Sequence, residues 1–413
     1  MTEKPLDKLA HIAALRPRAG EDVRRGTPQA RGQQRERLLR LLGAEERTTR
    51  LGSHLGLVCR FPGSCPSRIG SRASRLLAPH AASEVTNPGR WLFLDTETTG
   101  LAGGTGTYAF LVGVAWWEAD GLVVEQFFMR DHGEEPSLLL ALSERLSRRP
   151  VLVTFNGKSF DWPLLETRYR ITRVAALEKP AAHLDLLHPA RQLWRWRLPS
   201  VALAELEREI LAIERGADIP SHTIPARYFE FLRGGPEGPI VEIFRHNQLD
   251  LCGLAALAAR IAALLEEPKS AMGDAFETYG VSRMLQREGE TMLAAEGYQR
   301  ALAFGLPEGA DRIARRELAL LSRKRGDYAG AHELWQELVG DSPAGLQAYE
   351  QLAIHYEHRA REPRLALQLT REALVRAREA ALAGRLDGAQ FHRWHAALQH
   401  RLARLQSLLE GNR

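Results

Sequence analysis

Three short strings in this 413-residue chain hold residue types that can do chemistry together. The first is Leu94-Asp95-Thr96-Glu97-Thr98-Thr99-Gly100, where two carboxylates lie two residues apart at the end of the apolar run 91–94. Side chains alternate along a strand, so Asp95 and Glu97 share a face. Like charges side by side at the end of a buried strand are costly unless a cation neutralises them. Oxygen ligands favour a hard divalent ion such as Mg2+ or Mn2+. The second string is Thr154-Phe155-Asn156-Gly157-Lys158-Ser159-Phe160-Asp161. Here a strand ends in a glycine turn and Asp161 opens a helix, where an N-cap role competes with a ligand role. Lys158 is placed for a phosphate or for solvent. The third string is His246-Asn247-Gln248-Leu249-Asp250. His246 and Asp250, four apart on an amphipathic helix, share a face. They suit a water and a cation, or make an ordinary helix-surface pair.

The elements that must position these residues follow from local pattern. Residues 91–95, 108–117 and 122–130 read as strands, the last two joined as a hairpin across Glu118-Ala119-Asp120-Gly121. A helix over 136–148, a strand over 151–155, a helix over 160–170 and a strand over 183–187 come next, then mostly helix to about residue 267. Antiparallel strands followed by one reached through a helix predict an α/β mixed sheet flanked by helices. From about residue 271 strand signals stop. Segments 294–302, 328–338 and 364–374 resemble one another when Ala294, Ala331 and Ala366 are aligned, which is similar to the tetratricopeptide pattern; a plain helical bundle is the alternative. The expected division is a basic, weakly structured region over 1–88, the α/β domain over 89–268 and an all-α tetratricopeptide-like domain over 271–410.

The composition, 44% hydrophobic and 26% charged, excludes global disorder and collagen. No apolar run reaches about 18 residues, and the nearest, 251–265, is interrupted by Arg260, so no membrane partner is expected. Met1-Thr-Glu-Lys-Pro opens no secretory signal, and Cys59, Cys65 and Cys252 make no disulfide framework, so a cytoplasmic location is expected. Residues 1–90 hold 17 Lys and Arg against 8 Asp and Glu, whereas the whole chain carries only +5. This region reads either as a solvated tail with one helix over 33–42 or as an arm attracting a phosphate backbone.

Together the three strings are more specific than any alone. Asp95, Glu97, Asp161 and Asp250 resemble the four acidic residues of the ribonuclease H-like DEDD superfamily of 3′–5′ exonucleases. Phe155-Asn156-Gly157 with Phe160-Asp161 resembles that superfamily's second motif. The stretch from Thr98 through Gly103, Gly104 and Gly106 to Tyr108, with His183-Leu184-Asp185-Leu186-Leu187-His188 and His246-Asn247, resembles the YprB-type branch, in which helical repeats often follow the nuclease domain. In the third motif the superfamily has a Tyr four residues before its Asp or a His five before; this chain has a His at four. The resemblance implies a nucleic-acid substrate and two ions, Mg2+ or Mn2+, held by Asp95, Glu97, Asp161 and Asp250. His246 would orient or deprotonate the water, with Tyr228 and His183 as substitutes, and Thr98, Asn156, Lys158, Phe160 and Asn247 would contact substrate. Asp185 is expected in a supporting role. Phe160, Trp162, Tyr108, Trp194 and Trp196 are candidates for base stacking, and Arg191 to Arg197 interleaves Arg with Trp as a nucleic-acid track or a half-buried helix. The competing readings are an endonuclease of the same fold and an inert adaptor whose helical repeats bind a protein partner.

Overall fold

The computed structural model describes residues 28–63, 65–66, 68–100, 106–174, 177–340 and 342–411. The first part of the basic region, residues 1–27, and the glycines 103 and 104 lie outside the described residues. The chain divides into two compact units, Met1–Arg191 with Leu198–Glu267, and Gln192–Arg197 with Pro268–Arg413.

In the first unit, helix α1 (Pro28–Leu42) precedes strands β1 (Glu45–Thr49) and β2 (Gly52–Pro62). Short helices α2 (Ser71–Leu77) and α3 (Ala82–Val85) lead to β3 (Trp91–Thr98), β4 (Ala109–Glu118) and β5 (Gly121–Phe128). Then come α4 (Glu135–Arg148), β6 (Val151–Thr154), α5 (Asp161–Thr172), β7 (Ala182–Asp185) and α6 (Leu187–Trp194), of which the residues from Gln192 on count with the second unit. Helices α7 (Leu203–Glu209), α8 (Ile224–Leu232) and α9 (Gly238–Glu266) complete it. The seven strands form one mixed sheet in the order β1-β2-β5-β4-β3-β6-β7. Its β1-to-β3 half is antiparallel, whereas β6 and β7 join in parallel, each reached through a helix. Glu125 and Gln126, neighbours on β5, show how both faces are covered. Glu125 takes Arg145 of α4, and Gln126 turns to Asn247 of α9.

Residues 28–62 correct the expectation of a weakly structured region over 1–88. They form a helix and the two outermost antiparallel strands, with β2 paired to β5 along its length, Leu55 opposite Phe128 and Phe61 opposite Leu122. Leu38 and Leu55 are wholly buried. The excess arginine is spent internally, since Arg35 pairs with Asp131, Arg37 with Glu237, Arg47 with Glu125 and Arg60 with Glu118. These partners lie far along the chain, so a local reading finds only unpaired basic charge.

Helix α9 is the long element that carries the third string. In length and composition it is long and apolar enough to cross a membrane, Arg260 notwithstanding, as a core helix can also be. Its Leu251, Leu254, Leu257 and Ile261 are buried, and α9 packs across β3, β4 and β5.

The second unit is helical throughout its described residues: α10 (Ala275–Arg287), α11 (Thr291–Phe304), α12 (Glu308–Lys324), α13 (Tyr328–Leu338), α14 (Pro343–His358), α15 (Pro363–Leu382) and α16 (Gly388–Gly411). Ala294, Ala331 and Ala366 are buried on α11, α13 and α15, each of which packs against the helix before it. At Gly326 a positive φ of 85° turns the chain between α12 and α13, and Asp327 then accepts from the Gly330 amide to cap α13. Trp194 is wholly buried here and donates its indole N–H to Glu277 at 2.9 Å. The 191–197 segment is therefore packed by its tryptophan, and Trp194 is not available to stack on a base.

Candidate metal centre

Asp95 lies opposite Gly113 of β4, Glu97 opposite Leu111, and a bulge separates Glu97 from Thr98. Gly113 is required here. A Cβ on it would stand 2.0 Å from Asn247 Oδ1, so only glycine lets α9 approach the sheet beside Asp95. Asn247 is wholly buried. Its Nδ2 donates to Asp95 Oδ2 at 2.7 Å, and its Oδ1 accepts from Gln126 Nε2 at 2.8 Å. Gln126 is itself held by the Phe244 carbonyl and by Gln248. Asn247 was expected to touch substrate; it is instead a buried strut that aims Asp95.

Asp161 is the first residue of α5, and Phe160 holds the N-cap position without a side-chain bond. The capping alternative therefore fails. The Asp161 carboxylate instead accepts from Thr96 Oγ1 at 2.5 Å, which ties α5 to β3. Asn156 takes a positive φ of 66°, an αL conformation that asparagine tolerates in turns. Asp185 clasps this turn: its carboxylate accepts from the amides of Asn156 at 2.8 Å, Lys158 at 3.1 Å and Leu187 at 3.1 Å. Its supporting role is thus to hold the loop. Lys158 and Phe160 are exposed on that loop, and Thr98 Oγ1 donates to the Gly100 carbonyl at 3.0 Å.

His246 is buried with its ring between two sets of acids. Nδ1 lies 2.8 Å from Asp218 Oδ1. Nε2 lies 3.3 Å from Ser221 Oγ, 3.4 Å from Asp250 Oδ2 and 4.0 Å from Glu97 Oε1. One ligand atom each from Glu97, His246 and Asp250 fall within 4.8 Å of one another. The substitutes considered for His246 are engaged elsewhere. Tyr228 is wholly buried, stacked on Phe110 at 3.9 Å and bonded to the Met129 carbonyl, and His183 Nε2 bonds Thr154 Oγ1 at 2.8 Å. Tyr108 is stacked on His132 at 4.3 Å with the Arg168 guanidinium over its ring at 3.9 Å, and Trp162 is buried with its indole on Glu166. Of the stacking candidates in this unit, Phe160 is the exposed one.

Sequence reading missed four residues. Arg215 Nη2 donates to Asp250 Oδ1 at 2.5 Å and to Glu207 Oε1 at 2.7 Å, while Nη1 reaches Asp218 Oδ2 at 3.1 Å. Glu207 is buried, and a Cβ on Gly253 would stand 1.6 Å from its Oε1, so a second glycine makes room for this network on α9. Asp218 and Ser221 hold His246. Glu207 is on α7 and the other three follow it before α8, with no motif spacing, and their signal is tertiary.

The charges perturb one another. Burial raises the Asp95 carboxyl well above the usual range, and the neighbouring charges of Asp250 and Asp161 add to it. Burial does the same at Glu97, with Asp95, Asp250 and Asp161 adding to it. Burial pushes Asp161 up to about 6. At Asp218 burial works against the charge, but the bonds to His246 and Arg215 outweigh it and hold the carboxyl below its usual range. Carboxylates that raise each other's affinity for protons also attract other cations, and hard oxygen donors beside one imidazole fit a divalent ion. The site is therefore a candidate acidic metal centre.

Residues 92–262 match the family model described as RNase_H superfamily. The uncharacterized protein YprB of Bacillus subtilis (strain 168) is 32% identical over 291 residues, which cover 70% of this chain and 70% of that protein. Among solved structures, the family B DNA polymerase from the hyperthermophilic archaeon Pyrobaculum calidifontis is similar at 13% identity and a TM-score of 0.38, over 59% of this chain and 33% of that one. The chain thus spans about a third of that polymerase. With a seven-stranded mixed sheet and an acidic cluster at the end of its β3 strand, the chain belongs to the same family as YprB and carries a ribonuclease H-like domain.

Proposed function

We propose that the chain is a metal-dependent nuclease that hydrolyses phosphodiester bonds of DNA or RNA from a 3′ end, using two Mg2+ or Mn2+ ions. One observation carries the reading. Glu97 of β3 and His246 and Asp250 of α9 bring one ligand atom each within 4.8 Å of one another, Asn247 of α9 bonds Asp95, and Thr96, between Asp95 and Glu97, bonds Asp161, so acids from three distant segments meet. Asp95, Glu97 and Asp250 would hold one ion, and Asp95 with Asp161 the other. Bound there, such ions would supply the acidification of a water and the stabilisation of the leaving oxygen. The chain's own residues do the rest. Asn247 fixes the Asp95 carboxylate, and Thr96 fixes that of Asp161. Asp218 orients His246 so that Nε2 faces Glu97 and Asp250, where it accepts the proton of the attacking water. Phe160 and Lys158, exposed on the turn after β6, offer a ring face and a cation to the substrate end. The helical unit is the candidate surface for a protein partner.

The test is digestion of 5′-labelled single- and double-stranded DNA and RNA with Mn2+ or Mg2+, beside Asp95→Asn and Asp161→Asn. Stepwise shortening from the 3′ end that both variants abolish is the expected result. Cleavage of a circular substrate would make it an endonuclease. Parent and variants equally inactive, with no Mn2+ bound by titration calorimetry, would leave an adaptor.

A further inference from the structure

In the helical unit a concave cavity of about 340 Å³ opens between α12, α13 and α14. Its lining combines cations with flat rings: Arg323 and Arg359, His332, His355 and His358, with Trp335 and Tyr328. No carboxylate among the described residues lines it. The two arginines have no acidic partner among the described residues. Arg323 bonds the neutral Gln351, and Arg359 lies over the Tyr328 ring at 3.1 Å. The imidazoles are crowded as well, with the His332 and His355 rings 4.6 Å apart and His332 Nε2 on Tyr356 Oη at 3.1 Å. Burial lowers the proton affinity of His355, and the neighbouring His332 and Arg359 lower it further; at the rim His358 lies 3.8 Å from Glu357, which also holds Arg401 and Arg404. Other arginines of the helical unit do pair with acids: Arg312 with Glu308, Arg315 with Asp311 and Glu337, Arg401 and Arg404 with Glu357.

An anion is what such a lining lacks, and guanidinium forks suit a phosphate. The size fits one small ligand and not an extended peptide, since small-ligand sites begin near 300 Å³. The rings suit a planar group attached to that anion. We propose that this cavity binds a phosphate-bearing nucleotide, with the phosphate on Arg323 and Arg359 and the base among Trp335, Tyr328 and the histidines. The phosphate comes either from a free mononucleotide or from the phosphorylated end of a nucleic acid. This site is separate in residues from the acidic centre, and it stands whether or not that centre is catalytic.

The experiment uses the full chain with Asp95→Asn in EDTA, so that the acidic centre neither binds metal nor turns over. Trp335→Phe in the same background identifies the fluorescence signal of the cavity. Titrants are AMP and UMP, adenosine, inorganic phosphate, a 5′-phosphorylated and an unphosphorylated tetranucleotide, and a Glu-rich pentapeptide. Saturable binding of a mononucleotide, weakened by about 10-fold or more in each of Arg323→Gln and Arg359→Gln, is expected, because each removes a charge-assisted hydrogen bond. Tighter binding of AMP than of the phosphorylated tetranucleotide assigns a free nucleotide; the reverse assigns a nucleic-acid end. Adenosine and the unphosphorylated strand should bind far more weakly. The proposal is overturned if no nucleotide saturates, if both glutamine variants bind like the parent, if phosphate alone binds as tightly as AMP, or if the peptide binds best. Both arginines are on the surface of helical elements, and unchanged circular dichroism of the variants separates lost binding from lost fold.

Discussion

The His246–Asp218 contact gives the most direct test of how the site works. Asp218 accepts from His246 Nδ1 at 2.8 Å, which leaves Nε2 as the nitrogen facing Glu97 and Asp250. Asp218→Ala removes the acceptor and frees the ring to rotate or change tautomer. A hydrogen bond to a charged partner contributes about 1.5–3 kcal/mol, and about 1.36 kcal/mol is tenfold in rate, so kcat should fall about 10- to 150-fold. Asp218→Asn keeps an acceptor oxygen while losing the charge, so it should recover part of that loss. Neither variant removes Asp95, Glu97, Asp161 or Asp250, so KM and Mn2+ affinity should stay within a few-fold of the parent. The assay is single-turnover digestion of a 5′-labelled oligonucleotide at saturating Mn2+, with calorimetric Mn2+ titration alongside. Parent-like kcat in Asp218→Ala would refute the positioning argument. An equal loss in the alanine and asparagine variants would show that charge, not orientation, is what Asp218 supplies.

Gly113→Ala places a methyl 2.0 Å from Asn247 Oδ1 and should destabilise the first unit by about 1–3 kcal/mol, read as a lower urea midpoint with parent-like slope; an unmoved midpoint contradicts the close approach of α9. Asp95→Asn relieves the repulsion around Glu97, so in EDTA its melting temperature should equal or exceed the parent's, whereas saturating Mn2+ should raise the parent alone, by about 2.7 kcal/mol of stability at a hundredfold excess over Kd. The sign of that crossover is the test, and a variant less stable than the parent in EDTA would count against charge repulsion. His54 is wholly buried against Ser137, and burial lowers its pKa to about 4. The unfolded state therefore takes up a proton below about 6.5 that the folded state refuses until about 4, and stability is lost as pH falls through that window. Compared with His54→Gln by urea denaturation at each pH, the parent should lose about 3 kcal/mol more between pH 7 and 4; parallel profiles would mean the ring is not buried neutral.

The parts of the fold that were legible in the sequence are those whose signal is local. The hairpin β4–β5 announces itself by two apolar runs around a Gly turn, and the alternation of β3 puts Asp95 and Glu97 on one face before any tertiary contact is known. The β1–β2 hairpin was hidden because β1 reads Glu45-Glu46-Arg47-Thr48-Thr49, with no apolar face. Its arginine finds Glu125 and its Glu46 finds Arg130, both well over seventy residues away. Such an edge strand is specified by ion pairs and register with a partner, and these have no period to detect. The site divides along the same line. Its acids sit on motifs, whereas Asn247 was misread because an asparagine on a helix bearing such residues looks available until Gly113 brings the sheet against it.

Arg215 shows why the motif alone left the electrostatics incomplete. Carboxylates gathered in one buried place need counter-charge in every state in which the chain is folded, and a metal ion would supply it only in the loaded state. Arg215 supplies a permanent positive charge on Asp250. Burial works against its own charge, but the bonds to Glu207 and Asp250 outweigh that and raise its pKa. It is in turn anchored by Glu207, beside Gly253, on the Asp250 side of the site. The two ends of the site are thereby unequal. Asp250 keeps a resident cation on one oxygen and presents the other, Oδ2, to His246, whereas Asp95 bonds the neutral amide of Asn247 and feels Arg215 only through space. Replacing Arg215 with methionine should consequently do two opposed things. It should destabilise the folded chain in EDTA, because Asp250 and Glu207 lose their partner. It should also tighten Mn2+ binding, because a competing cation is gone. If calorimetry instead shows Mn2+ binding weakened while the fold persists by circular dichroism, then Arg215 acts chiefly by fixing the Asp250 rotamer, and its charge is secondary.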